Sequence, residues 1–126
     1  MDKKKIKKTY VPDSLTAADR KKQIKSIREG KDRPKVESFK SKRSPYVIKF
    51  EKRYGFKITN KARIAKEIIS KTGIDKILAK GRGAYYSSGS RPNQTAASWS
   101  NARLASVIVG GPARKVDQKI WDKYKK

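Results

Sequence analysis

The sequence predicts a mainly α-helical protein, a small helical bundle with an extended basic N-terminal arm and one long Gly/Ser/Tyr loop. Two observations predict the helices: large apolar side chains recur at helical spacing from Tyr46 onward, and residues that typically begin or end helices flank these runs. A third observation separates the arm, because residues 1–43 contain few large apolar side chains. We therefore divide the chain into an arm, residues 1–43, and an α-helical domain, residues 44–126.

The arm is predicted to contain one helix, from Ala17 to Glu29. Thr16 precedes this helix as an N-cap, and Gly30 follows it as a typical C′ residue. The apolar stripe of the helix is thin, so the helix needs a surface on which to dock. An extended strap follows around Pro34, and we expect the arm to pack mainly on other chains. Its expected anchors are Ile24, Ile27, Val36 and Phe39.

Five helices are predicted in the domain, each with an apolar stripe between capping residues. Ser44 is the expected N-cap of the first helix, and Pro45 suits the position that follows. Thr95 is the expected N-cap of the fourth helix, and Pro112 is a suitable start for the fifth. The predicted bounds are 45–54, Lys61 to Lys71 with Gly73 as the stop, Asp75 to Ala79, Ala96 to Val109, and Ala113 to Tyr124.

The segment Lys80 to Thr95, KGRGAYYSSGSRPNQT, has no apolar period, so we predict a loop. Three interpretations of it stay open. Glycines on both sides of Arg82 suit a phosphate cradle, although the order of a nucleotide P-loop is absent. A purely structural loop would place one tyrosine ring on the bundle. A nucleic-acid site would stack Tyr85 and Tyr86 on bases.

Composition restricts the chemistry available to the chain. Its 126 residues include 35 Lys+Arg and 11 Asp+Glu, which gives a formal net charge of +24 and indicates an anionic partner. The absence of Cys and His removes thiol nucleophiles, the usual general base and the commonest metal ligands. No apolar run approaches the length of a membrane span. We therefore expect no enzymatic activity, no cofactor and no small-molecule substrate.

The stretch KGRGAYYSSGSRPNQT, followed by SW and ARLASV, resembles a small family of basic proteins encoded by nucleocytoplasmic large DNA viruses of algae and protists. The resemblance covers nearly the whole chain, from Tyr10 to about Lys126. Asn60 and Lys61 depart from it, because acidic residues are expected there. The resemblance implies a virion setting without an assigned activity. In such viruses, small basic proteins are often minor capsid components that join neighbouring proteins beneath the capsid shell.

Charge and resemblance together favour a non-enzymatic virion structural protein. We expect a minor capsid or cementing component on the interior face of the capsid, made in the cytoplasm or nucleus of the host cell. Its expected partners are other capsid proteins, with nucleic acid or an anionic membrane surface as further candidates. The alternative is a sequence-independent DNA-binding virion or nucleoid protein. The residues expected to contact a partner or its phosphates are Lys80, Arg82, Tyr85, Tyr86, Arg91 and Arg103.

Overall fold

Helices provide the regular structure of this protein. A computed structural model describes residues 6, 10–36, 44–87 and 89–126. Within these ranges there are seven helices and no β-strand, and one antiparallel bridge joins Ile69 to Lys125. The predicted mainly α-helical fold class is confirmed. The helices are α1 (Ala17–Glu29), α2 (Pro45–Tyr54), α3 (Lys61–Glu67), α4 (Lys71–Ser87), α5 (Ala96–Val109), α6 (Pro112–Val116) and α7 (Gln118–Tyr124).

Helices α1, α2 and α5 begin and end at the predicted residues because local side chains cap them. The hydroxyls of Thr16, Ser44 and Thr95 accept backbone N–H groups of the first helical turns at 3.2, 3.2 and 3.0 Å. Gly30 and Gly55 follow α1 and α2 with φ angles of 64° and 77°, a conformation that favours glycine. Capping chemistry is therefore a dependable signal at these helix ends.

The structure corrects the extent of the predicted loop from Lys80 to Thr95. Its first half is helical, because α4 continues through Gly81 and Gly83 to Ser87. Gly81 serves close packing here, since a Cβ at this position would lie 2.8 Å from the Cα of Ser100. The remaining non-helical residues lie between α4 and α5, and residue 88 is outside the described ranges.

Two other predicted helices have different bounds in the structure. The helix predicted from Lys61 to Lys71 ends at Glu67, after which Ser70 donates its N–H to the carbonyl of Tyr124 at 3.0 Å. Gly73, the expected stop, lies inside α4, which also includes the predicted short helix from Asp75 to Ala79. The last predicted helix is divided at Asp117 into α6 and α7.

The chain forms two compact units. One contains the described parts of residues 1–42 and 82–99, and the other contains residues 43–81 and 100–126. The arm therefore shares its unit with residues 82–99, which the sequence-based division places in the domain. Two expected anchors, Ile27 and Val36, are buried within this unit at 3% and 2% exposure, whereas Ile24 is half-buried. The fourth expected anchor, Phe39, lies outside the described residues.

The second unit has its own apolar core. Phe50, Ile64 and Leu104 are fully buried and bring α2, α3 and α5 together. This burial explains the helical spacing of apolar residues in the sequence. The buried members of the core are Val47, Phe50, Ile58, Ile64, Ile68, Ile69, Ile74, Ile77, Leu104, Ala105, Val107 and Ile108.

Candidate partner-binding surface

Tyr85 is a structural residue in the first unit. Its side chain is fully buried, and its hydroxyl accepts the backbone N–H of Arg33 at 2.7 Å. The same hydroxyl donates to the carbonyl oxygen of Gln94, also at 2.7 Å. The Arg33 guanidinium lies over the ring, 4.6 Å from the ring centroid. The ring of Tyr85 therefore has no open face for stacking on a base.

Further side chains hold the extended strap that follows α1 by hydrogen bonds. The Asn93 carboxamide accepts the N–H of Val36 at 2.7 Å and donates to its carbonyl oxygen at 3.0 Å. Tyr86 donates its hydroxyl to the carboxylate of Asp32 at 2.8 Å. This exposed hydrogen bond, followed by desolvation, raises the pKa of Tyr86. The strap and the residues around α4's C-terminal end thus form one hydrogen-bonded structure.

The inner face of α1 docks within the same unit. The fully buried Gln23 donates its side-chain amide to the carbonyl oxygens of Tyr10 and Ser90, both at 2.9 Å. Ile27 packs so closely against Gly89 that a Cβ on the glycine would lie 2.9 Å from an Ile27 methyl group. The docking surface that the thin stripe of α1 requires is therefore supplied by the same chain.

Arg33 is a buried cation that caps the C-terminal end of α1. It is 8% exposed, and its Nη2 donates to the carbonyl oxygens of Ser26, at 3.3 Å, and Lys31. Its Nε and Nη1 have no hydrogen-bond partner among the described residues. Burial lowers the pKa of this guanidinium, and Tyr85 and Asp32 partly oppose the change. Both unpaired nitrogens are enclosed by protein, so the group has no surface to offer a ligand.

Arg103 and Lys80, both expected to contact a partner, converge on Asp117 in the second unit. Asp117 is 1% exposed and accepts hydrogen bonds from Arg103 Nε at 2.8 Å and Arg103 Nη2 at 2.9 Å. Lys80 Nζ lies 3.5 Å from the same carboxylate, with half of its side chain exposed. This geometry joins α4 and α5 to the break between α6 and α7. Arg103 is therefore committed to an internal contact.

Lys61, one of the departures from the resemblance, is also used internally. Its Nζ donates to the carbonyl oxygen of Ile58 at 2.7 Å and to Oδ1 of Asn101 at 2.6 Å. Desolvation lowers the pKa of this lysine. Its charge thus ties the start of α3 to α5.

Arg82, Tyr86 and Arg91 are the expected contact residues with exposed side chains and no role in the core. Arg82 and Tyr86 lie one turn apart on α4, and Tyr86 is 39% exposed. The nucleic-acid interpretation of the sequence stacked both Tyr85 and Tyr86 on bases between Arg82 and Arg91; with Tyr85 buried, Arg82 and Tyr86 are the exposed arginine and aromatic ring that remain together. Arg91 instead lies near Tyr10, where its charge partly offsets the increase in the pKa of Tyr10 that burial causes.

Most of the described carboxylates are engaged in contacts within the chain. Asp117 and Asp32 are two of them, and five further carboxylates form ion pairs or hydrogen bonds. Their partners are therefore internal, while most of the basic side chains remain exposed. The further contacts are Asp13 with Arg20, Glu29 with Lys31, Glu51 with the N–H of Ile58, Glu67 with Arg63, and Asp122 with Gln118.

Sequence reasoning missed a basic surface on the outer side of α1. It consists of Lys21, Lys22, Lys25 and Arg28, all exposed, and we call it the α1 basic face. No carboxylate pairs with these four side chains in the described part of the chain. The spacing was visible in AADRKKQIKSIRE, but sequence alone did not show which side of the helix is covered.

Other site types lack support within the described ranges. No group of three or more potential metal-ligating side chains occurs in residues 6, 10–36, 44–87 and 89–126. None of the helices found there is both long enough and apolar enough to cross a membrane.

Comparisons with other proteins give the family of this chain. No curated protein and no solved structure matches it. A family model, described as a family of unknown function (DUF5824), matches residues 4–123. Because this match covers nearly the whole sequence, the chain belongs to the DUF5824 family.

Proposed function

We propose that the protein is a non-enzymatic structural protein of a virion, a minor capsid or cementing component held in place by its surface charge. The resemblance to basic proteins of nucleocytoplasmic large DNA viruses supports the virion setting. The absence of Cys and His supports a role without catalysis. The expected location is the interior face of the capsid, against neighbouring capsid proteins and the genome or inner membrane.

One observation carries this proposal. The folded chain uses most of its described carboxylates for its own contacts and keeps a large excess of exposed cations. A net charge of +24 on 126 residues opposes compaction through self-repulsion, and an anionic partner would relieve that cost. A binding role therefore accounts for a charge distribution that the fold itself does not need.

Staged disruption of purified particles tests the proposal. Particles are first treated with protease and nuclease to remove adhering material, then opened at increasing salt, and the shell and genome fractions are analysed by quantitative mass spectrometry. The proposal predicts that at low salt the protein stays with the shell after the genome has left, and that higher salt then releases it from the shell. Its absence from treated particles would overturn the proposal.

Sequence-independent DNA binding in a virion or nucleoid is the second candidate. It is favoured by the exposed pair of Arg82 and Tyr86, which offers a phosphate contact beside an aromatic ring. In the same experiment, this candidate predicts that the protein leaves with the genome and is released by nuclease once the shell is open. Retention on a nuclease-treated shell would count against it.

A further inference from the structure

We infer that the α1 basic face is a docking surface for the phosphodiester backbone of duplex DNA, bound without sequence preference. This inference rests on the second candidate function above. It assigns the main phosphate contacts to Lys21, Lys22, Lys25 and Arg28, none of which was among the residues predicted from the sequence.

The geometry of α1 places the four cations on one side. At about 100° per residue, Lys21, Lys25 and Arg28 lie within roughly 60° of one another around the helix axis, and Lys22 lies beside them. From Lys21 to Arg28 the face is about 10.5 Å long. A duplex presents roughly six phosphate charges over that length, so each of the four cations has a phosphate to neutralise.

The cations on this face repel one another, and no carboxylate of the described residues forms an ion pair with them. Like charges at i,i+3 and i,i+4 spacing, such as Lys21 with Lys25 and Lys25 with Arg28, destabilise a helix. Two acids near α1 pair with other cations: Glu29 pairs with Lys31, and Asp13, which precedes the helix, pairs with Arg20. The exposed pair Arg63 and Glu67 on α3 shows the usual alternative of opposite charges at i,i+4.

The chemistry of the face favours nucleic acid over a membrane or a protein partner. Membrane-surface helices insert an apolar face, but the inner side of α1 is already covered, with Gln23 and Ile27 buried. The cores of protein interfaces are enriched in aromatic side chains and depleted in lysine. The α1 basic face has three lysines and no large apolar side chain, which suits phosphates that require charge alone.

The test compares two full-length variants with the same change in charge. The first variant neutralises the α1 basic face with the substitutions Lys21→Gln, Lys22→Gln, Lys25→Gln and Arg28→Gln. The control variant neutralises four exposed lysines on the second unit with the substitutions Lys52→Gln, Lys57→Gln, Lys66→Gln and Lys71→Gln. Binding to a fluorescent duplex of arbitrary sequence is measured by anisotropy between 50 and 200 mM salt, after circular dichroism has established that helix content is retained.

The parent chain is expected to show a steep decrease of affinity with salt. Four lost contacts should reduce the slope of log K against log salt by about 3.6 in the α1 variant, because each phosphate contact contributes about 0.9. The control slope should change by less than about 1. If four substitutions unfold α1, the pair Lys21→Gln/Lys25→Gln is compared with Lys52→Gln/Lys66→Gln, and about half the change is expected.

Each contrary result identifies what has failed. Equal slope changes in the α1 and control variants would show that binding is diffuse, and would overturn the docking surface while DNA binding stands. A flat salt dependence of the parent chain would remove DNA binding and the docking surface together. Loss of binding to phosphatidylserine vesicles in the α1 variant, with DNA binding unchanged, would assign the face to a membrane instead.

Discussion

In the first unit, the buried hydroxyl of Tyr85 joins the strap after α1 to the residues before α5. It accepts a hydrogen bond from Arg33 and donates one to Gln94, and both bonds are 2.7 Å long. The neighbouring Tyr86 makes its hydroxyl contact at the surface, with Asp32. Two adjacent tyrosines thus have different structural roles, although the sequence offers no difference between them.

We expect Tyr85→Phe to lower the free energy of unfolding by about 1–3 kcal/mol, because a buried donor and a buried acceptor lose their partner. Tyr86→Phe is the matched control and should change the stability little, since water replaces its exposed hydrogen bond. Urea denaturation followed by circular dichroism measures both. A larger loss in Tyr86→Phe than in Tyr85→Phe would contradict the assignment.

Asp117 is the corresponding residue of the second unit, because a fully buried carboxylate holds Arg103 with two hydrogen bonds. Asp117→Asn keeps the size of the side chain and removes the charge, so we expect a loss of about 3 kcal/mol in the free energy of unfolding. The exposed Asp122→Asn serves as the control and should have little effect. Equal, small effects in chemical denaturation would show that the buried pair contributes nothing to stability.

At the scale of elements, α4 shows that tertiary packing can place a glycine inside a helix where the sequence pattern favours a loop. Gly81 lies against Ser100, whereas a Cβ at Gly83 would meet no atom within 4 Å. Both glycines favoured a loop in the sequence, and both are helical in the structure. The first is explained by close packing, and nothing in the described structure requires the second.

Two substitutions separate these roles. Gly83→Ala should raise the free energy of unfolding by about 0.5–1 kcal/mol, because alanine is the better residue at an exposed helical position. Gly81→Ala should lower it by about 1–3 kcal/mol, because the new methyl group would lie 2.8 Å from the Ser100 Cα. Thermal unfolding of both variants checks the signs, and stabilisation by Gly81→Ala would contradict the close packing of α4 on α5.

Capping residues near the helix ends predicted some elements well. Sequence patterns failed where contacts with residues distant in sequence determine the local structure. The caps at Thr16, Ser44 and Thr95 fixed the starts of three helices because their hydrogen bonds are made within the first turn. The path of α4 through Gly81 depends on Ser100, which no local pattern indicates. The burial of Tyr85 likewise depends on the distant strap. The charge of the chain was evident from the sequence, but the exposed side of α1 required the structure.

At the scale of the whole molecule, the arm and residues 82–99 belong together. Gln23, Arg33 and Val36 all make hydrogen bonds to residues between Tyr85 and Asn93. The first unit is therefore built from two stretches of chain that are far apart in sequence and are joined by hydrogen bonds.

We expect a chain without residues 1–43 to lose amide protection across residues 82–99, because their partners have been removed. Residues 44–81 and 100–126 should keep their protection, since they share a separate apolar core. Hydrogen exchange with mass spectrometry, compared with the full chain, resolves the two regions. Undiminished protection of residues 82–99 would show that they do not need the arm.

Our central claim is that the fold uses its own acids and leaves unpaired cations for an anionic partner, and the salt dependence of stability tests it most directly. The midpoint of urea denaturation is measured for the isolated chain between 20 and 300 mM NaCl. If unpaired cations dominate, screening weakens their mutual repulsion, and the midpoint rises with salt. A midpoint that falls with salt would show that internal ion pairs dominate, and would contradict the claim.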